Sequence, residues 1–376
     1  MAIPVMLLGC VLVLLVLWEG FETIILPRRV TRRFRVTRVF YRGSWRPWTR
    51  LVHALVPARR RETWLSYFGP LSLLLLLSLW AALMITGFAL INWGGSQFLY
   101  HGATSFPVDL YLSGTTFFTL GIGDVVPHTS LGRLLVVVES GMGFAFLALV
   151  ISYLPALNQS FARREVSISL LDARAGSPPT ASEMLRRHSH EGGKESLREL
   201  LHEWERWSAE FLEGHLSYPV LAYFRSQHDN QSWLAALTAV LDACALIMAG
   251  AEGSCTRQAE RTFAMSRHAV VDLALVFRNP PRGPATDRLT QAKLEELCAL
   301  LSSSGHKLKE RDALVRRLSE LRLMYEPYVN ALSRHFRMSL PPWVAGESGL
   351  DNWQASFWKD AVPHRKLHEG SGDRHF

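Results

Sequence analysis

Three long apolar stretches leave this chain few ways to fold. A helix needs about 20 residues to cross a hydrocarbon core, and the stretches from Ala2 to Leu26, from Leu65 to Asn92 and from Leu131 to Pro155 all reach that length. The first is unbroken from Pro4 to Trp18, before Glu19 and Glu22. It has neither a basic leader nor a small-x-small cleavage site, so it reads as a retained helix rather than a removable signal. The fold class that follows is an all-α membrane protein with three transmembrane helices.

Charge orients those helices. Between Arg28 and Arg61 the chain carries twelve arginines and no acidic residue, a bias that the positive-inside rule assigns to the cytoplasmic side. The N-terminus is then outside. The polar, aromatic stretch from Trp93 to Pro107 becomes an external turret, and everything after Ser160 is cytoplasmic.

Between the second and third stretches lie Asp109 to Phe118 and then Thr119-Leu120-Gly121-Ile122-Gly123-Asp124. The lengths suit a half-helix (109–118) that enters the membrane and an extended filter strand (119–124) that leaves it. Non-helical backbone at that depth is tolerated only where it lines a cavity or is buried in protein. A dehydrated cation needs stacked rings of carbonyl oxygens aimed one way, and glycine at alternate positions, Gly121 and Gly123, allows the positive φ this requires. The Thr119 hydroxyl can add an innermost ring, and the negative end of the half-helix dipole favours a cation.

These residues resemble a known family. Tyr111-Leu112-Ser113, Thr119-x-Gly121-x-Gly123-Asp124, Pro127 and Gly132-Arg133-Leu134-Leu135 are similar to the pore of two-helix potassium channels, over roughly Leu65 to Pro155. The resemblance implies a homotetramer that conducts K+ passively, the ion being held by the backbone carbonyls of Thr119, Leu120, Gly121 and Ile122. Tyr111, Thr115 and Thr116 are expected to support the filter, and Glu139, an intramembrane acid and so a functional candidate by default, to brace it from behind rather than contact the ion. Gly143 matches the family's hinge in the inner helix (131–155), with Gly141 a second hinge candidate; close helix packing is the alternative for both. Two residues depart from the pattern: Leu120 stands where Val is usual and Ile122 where Tyr or Phe is usual. The lost phenol hydroxyl removes a tether worth roughly 1 kcal/mol, so a weakly selective or non-selective cation channel is the alternative function. A non-conducting membrane-anchored sensor or interaction protein is another.

The arginine block belongs to a basic segment (28–64) that follows the N-terminal helix (1–27). Arg29, Arg32, Arg35 and Arg38 superficially resemble a voltage-sensing helix, but one preceding membrane helix cannot supply the acidic bundle such a helix needs. An interfacial helix on anionic lipid, over 28–61, is the better reading, with Trp45 and Trp48 at the same boundary. Pro155 is expected to end or kink the inner helix, closing a pore domain at 65–157.

A linker at 158–192, marked by Gly176-Ser177-Pro178-Pro179, leads to a helical cytoplasmic domain at 193–376. Leu197, Leu200, Leu201, Trp204, Trp207, Phe211 and Leu212 share one helical face. Further helices are expected near 233–249, 257–277, 287–301 and 307–337, with breaks at Gly253, Pro280-Pro281 and Gly305. The apolar stretch from Trp233 to Ala249 is short and contains Asp242, so it reads as a buried core helix. His188 and His190 beside Glu191 fit a solvated loop better than a metal site, and His202 fits a solvent face. Cys10, Cys244, Cys255 and Cys298 lack CxxC spacing and are expected as free thiols. No catalytic constellation is visible, and no cofactor or nucleic-acid partner is expected; the net charge of +8 comes from the arginine block. The domain's own ligand is not legible.

Overall fold

The computed structural model describes residues 2–26, 35–99, 105–228, 230–250, 255–284, 286–306 and 308–346. The described residues are helical and contain no β-strand. Arg29, Arg32, Gly253, residues 100–104 of the turret and the tail from 347 onward lie outside them. The chain divides into two units. One holds Met1–Val166, Arg206–Asp229 and Ala269–Pro280, and the other Ser167–Glu205, Asn230–His268 and Pro281–Phe376.

In the first unit, α1 (Ala2–Gly20) and a π-turn at Phe21–Ile25 lead towards α2 (Val36–Leu55). A short 3-10 turn, α3 (Arg61–Ser66) and the long α4 (Phe68–Gly94) follow. Three helical stretches, Ile3–Ile24, Ala58–Gly94 and Ser130–Ala175, are long and apolar enough to cross a membrane. α1 lies along α4 where two glycines meet: a Cβ at Gly87 would fall 3.1 Å from the Gly9 carbonyl oxygen and 2.8 Å from a Val13 methyl. Small residues that let backbones approach are how apolar helices associate without a hydrophobic driving force between them.

Glu19, which interrupts the first apolar run, has a structural task. Its carboxylate accepts hydrogen bonds from the Val36 N–H (3.0 Å), the Thr37 N–H (3.2 Å) and the Thr37 hydroxyl (2.8 Å). It satisfies orphan donors at the start of α2 and opposes the positive end of that helix. α2 then buries Tyr41, Trp45, Thr49 and Val52, one stripe at helical spacing. The expectation that Trp45 sits at the lipid boundary is corrected. Its ring packs edge-on at 4.7 Å against Phe68 and at 5.2 Å against Tyr223, because the apolar face of α2 finds protein partners.

After α5 (Ser96–Leu99) and α6 (Phe106–Phe117), α7 runs unbroken from Ser130 to Ala175. Pro155 therefore neither ends the inner helix nor opens a linker at 158. A proline removes one backbone donor, and α7 continues because Tyr153, Leu157, Ile168 and Leu171 beyond or beside it are buried. The expected linker is confined to the turn at 176–180, after which come α8 (Ala181–Arg187) and α9 (Gly193–Ser217).

The second unit is built on α10 (Trp233–Ala249), which is buried along almost its whole length. It is joined there by α8, by the first half of α9, by part of α11 (Thr256–Val276), and by α12 (Gln291–Ser303), α13 (Arg311–Leu323) and α14 (Glu326–Phe336). The single helix expected over 307–337 is two. Pro327 in the first turn of α14 has no N–H to continue α13, and a proline there suits a helix start. Asp242, fully buried in α10, accepts both guanidinium nitrogens of Arg288 at 2.8 and 2.9 Å. Tyr325 donates to the same carboxylate, and Arg288 also reaches Glu326 at 2.8 Å. Burial of a carboxylate is tolerated because each oxygen is paired.

Candidate functional site

The segment 119–124 follows directly from α6, so its geometry begins with that helix. Pro107 lies in the first turn and Asp109 complements the helix's positive end. At the other end, Thr119 N–H donates to the Thr116 carbonyl at 2.9 Å and Leu120 N–H to the Thr115 carbonyl at 2.8 Å. Those bonds close the helix through Thr119 in the left-handed region, with φ of 57°. Glycine usually occupies such a closing position, and a β-branched residue there is uncommon. Gly121 and Gly123 follow with φ of 58° and 83°. Positive φ thus recurs at alternate residues along the segment.

Every residue from Thr119 to Asp124 is exposed within the single chain. Leu120 and Ile122, both large and apolar, are 64% and 60% exposed.

The expected supporting residues divide by how they reach this segment. The Tyr111 hydroxyl faces the Asp124 carboxylate, which brings the body of α6 near the far end of the segment. Thr115 and Thr116 act through their carbonyls, and the Thr115 hydroxyl is spent on the Leu112 carbonyl at 2.9 Å. Glu139 reaches α6 through a serine. It is fully buried in α7 and is hydrogen-bonded to the Ser113 hydroxyl of α6, which also lies 2.8 Å from the Ile85 carbonyl of α4. Ser113 thereby joins three helices. The sequence reading missed it because a serine on a helix carries no signal by itself.

The two hinge candidates are placed differently. Apart from its own stretch of helix, no atom of the described residues lies within 4 Å of a Cβ built at Gly141. At Gly143 a Cβ would fall 2.7 Å from the Phe117 carbonyl carbon and 3.0 Å from its Cα. Gly143 is where the α7 backbone presses against the last residue of α6.

Below this region α7 is held by a buried arginine that sequence reasoning also missed. Arg164 donates to the carbonyls of Leu221 and Phe224, each at 2.9 Å, and to Glu165 at 2.9 Å. The loop that offers those carbonyls packs further, with Tyr218 on Tyr153 at 5.4 Å and Phe224 on Phe161 at 5.7 Å. Its Tyr223 ring stacks on Tyr41 at 5.2 Å.

His188 is not in a solvated loop: it is buried, and its Nδ1 lies 2.7 Å from the Met184 carbonyl. Among the described residues no group of three His, Cys, Asp or Glu could hold a metal ion. The four cysteines are free thiols.

The family model described as "Ion channel" matches residues 73–159, from the interior of α4 through α6 and the exposed segment into α7. The uncharacterized membrane protein YdjJ of Bacillus subtilis (strain 168) is 29% identical over 191 residues, which is 47% of this chain and 52% of that protein. The chain thus spans about half the length of that curated relative. No solved structure matches. Residues 73–159, which contain α6 and the exposed segment, are thus the part of the chain that is similar to an ion channel family.

Proposed function

We propose that this chain is one subunit of a potassium-selective channel, in which α6 is a re-entrant pore helix and Thr119 to Asp124 form the filter. The observation that carries the reading is the alternation of positive φ at Thr119, Gly121 and Gly123. When φ changes sign from residue to residue, successive carbonyls turn to the same side of the backbone rather than to opposite sides as in a strand. Carbonyls so aligned, from Thr119, Leu120, Gly121 and Ile122, replace the hydration shell of a K+ ion. The negative end of α6 at Phe117 adds to the attraction.

One chain offers one wall of such a filter. Four copies around an axis close it, and the exposed side chains of Leu120 and Ile122 supply surface for that assembly. The topology that accompanies this reading has Met1 outside, Arg28 to Arg61 inside against anionic lipid, the turret outside and the C-terminal helices inside. The proposed pore domain keeps the boundaries 65–157 except that its inner helix extends to Ala175.

A weaker preference for K+ is the second reading, since Ile122 carries no hydroxyl. The approach of Tyr111 to Asp124 favours the selective one, because a polar contact there steadies the outer end of the filter against its own pore helix. Reversal potentials of the protein reconstituted in vesicles under K+ and Na+ gradients test both. Potentials that follow the K+ gradient are expected. Equal permeation of Na+, unchanged in Ile122→Tyr, would establish a non-selective pore, and absence of any flux would leave a membrane-anchored interaction protein.

A further inference from the structure

Arg278 is the C-terminal closing residue of α11, where the Arg278 N–H bonds the Leu275 carbonyl at 3.0 Å and the Asn279 N–H bonds the Ala274 carbonyl at 2.8 Å. It holds φ at 52°, a conformation in which glycine is the usual residue. An arginine placed there, with its side chain exposed, asks for a purpose. The packing supplies one. Phe277 lies edge-on at 5.9 Å to Tyr223, and Tyr223 stacks at 5.2 Å on Tyr41 of α2. Phe277, the residue before Arg278, thus meets the ring that stacks on Tyr41, and the charge of Arg278 is felt at Arg38, one turn before Arg42 on α2.

The acidic groups near this cluster are engaged. Glu19 is held by the backbone and hydroxyl at the start of α2, and Glu22 accepts from Trp18 at 2.7 Å and pairs with Arg35 at 3.7 Å. Arg42 and Arg278 make no ion pair with any described residue. The Arg38 guanidinium is held below its ordinary value first by burial and then by Arg278, Arg35 and Arg42, with only Glu19 acting the other way. Like charges gathered by a fold at this cost are stabilised by an anion that bridges them, and guanidinium forks match phosphate oxygens in pairs.

The position of α2 limits the source of that phosphate. α2 joins two helices of membrane-crossing length, and its Tyr41 and Trp45 pack on Phe68, the first residue of α4. It therefore lies level with the end of a membrane helix, where headgroups are. We propose that Arg38, Arg42 and Arg278 form a binding site for the phosphate of an anionic membrane lipid. The site deepens the lipid contact suggested for the basic segment by adding a residue from α11, and it stands whether or not the protein conducts.

The test is a titration of the full chain, purified in neutral detergent, with fluorescently labelled short-chain phosphatidylglycerol read by anisotropy. Each arginine near such a headgroup contributes enough that Arg42→Gln with Arg278→Gln should weaken binding about thirtyfold. Arg46→Gln with Arg50→Gln, on the same helix and with the same loss of charge, should weaken it by about threefold or less. Arg278→Lys keeps the charge but not the fork and should lose clearly less affinity than Arg278→Gln, a graded loss that misfolding would not give. Inorganic phosphate at millimolar concentration should not compete. Equal weakening by the two pairs would overturn the site in favour of diffuse charge, and effective competition by inorganic phosphate would overturn the lipid as its ligand. Binding unaffected by Arg42→Gln with Arg278→Gln would refute it outright, and ion flux through vesicles reports on the channel reading separately.

Discussion

Replacing Gly143 by alanine separates two roles that a glycine in an inner helix can play. A new Cβ would sit 2.7 Å from the Phe117 carbonyl carbon, against an ordinary carbon–carbon contact of about 3.5–4.0 Å. The neighbour is backbone, so no rotamer relieves the clash, and α7 and the end of α6 must separate by about 1 Å. Overpacking of this kind costs about 1–3 kcal/mol, while alanine repays about 1 kcal/mol in helix propensity. Phe117 is two residues from Thr119, so the displacement falls on the base of the proposed filter. K+ flux from proteoliposomes and thermal unfolding in detergent are read side by side. Both flux and unfolding temperature are expected to fall. Flux lost with a raised unfolding temperature would refute the packing argument, because a hinge glycine replaced by alanine stiffens and stabilises its helix.

Gly123→Ala is expected to abolish flux while the assembly keeps its size by gel filtration. Its Cβ would meet little, the nearest atom being 4.0 Å away, so the penalty is the positive φ alone, of order 1–3 kcal/mol. His215 gives a pH dependence. Burial first, then the Arg164 guanidinium, pushes its pKa down from 6.5 to about 3. The unfolded chain then binds the extra proton between those values, and stability should fall by about 1.4 kcal/mol per pH unit as pH drops from 6.5 towards 3. Melting curves at neutral and mildly acid pH should show this loss, and His215→Leu should flatten it; an unchanged slope would mean another group titrates. In the second unit, Arg288→Met leaves the buried Asp242 carboxylate with the Tyr325 hydroxyl but no cation, while Glu326 keeps Arg322 at 3.0 Å; the change should cost about 3–5 kcal/mol, seen as faster proteolysis of that unit. A wild-type digestion rate would show that water reaches those carboxylates.

The sequence by itself determined the membrane-length helices and the segment between the last two, because apolar run length and the Thr119-x-Gly121-x-Gly123-Asp124 spacing are local properties of the chain. It also determined α10 as a core helix, since Asp242 and a length of 17 residues argue against a crossing. Only the tertiary structure decided what depends on partners distant in the chain. Glu19 caps α2, Trp45 turns inward onto Phe68 and Tyr223, and Ser113 joins Glu139 to Ile85, none of which any periodicity encodes. The continuation of α7 past Pro155 belongs to the same class, because propensity puts a break there and packing of the residues around it outweighs one missing hydrogen bond. Arg278 is the clearest instance. On its own it is an arginine after a helix, and it is related to the basic helix α2 because its neighbour Phe277 meets Tyr223, whose ring stacks on Tyr41.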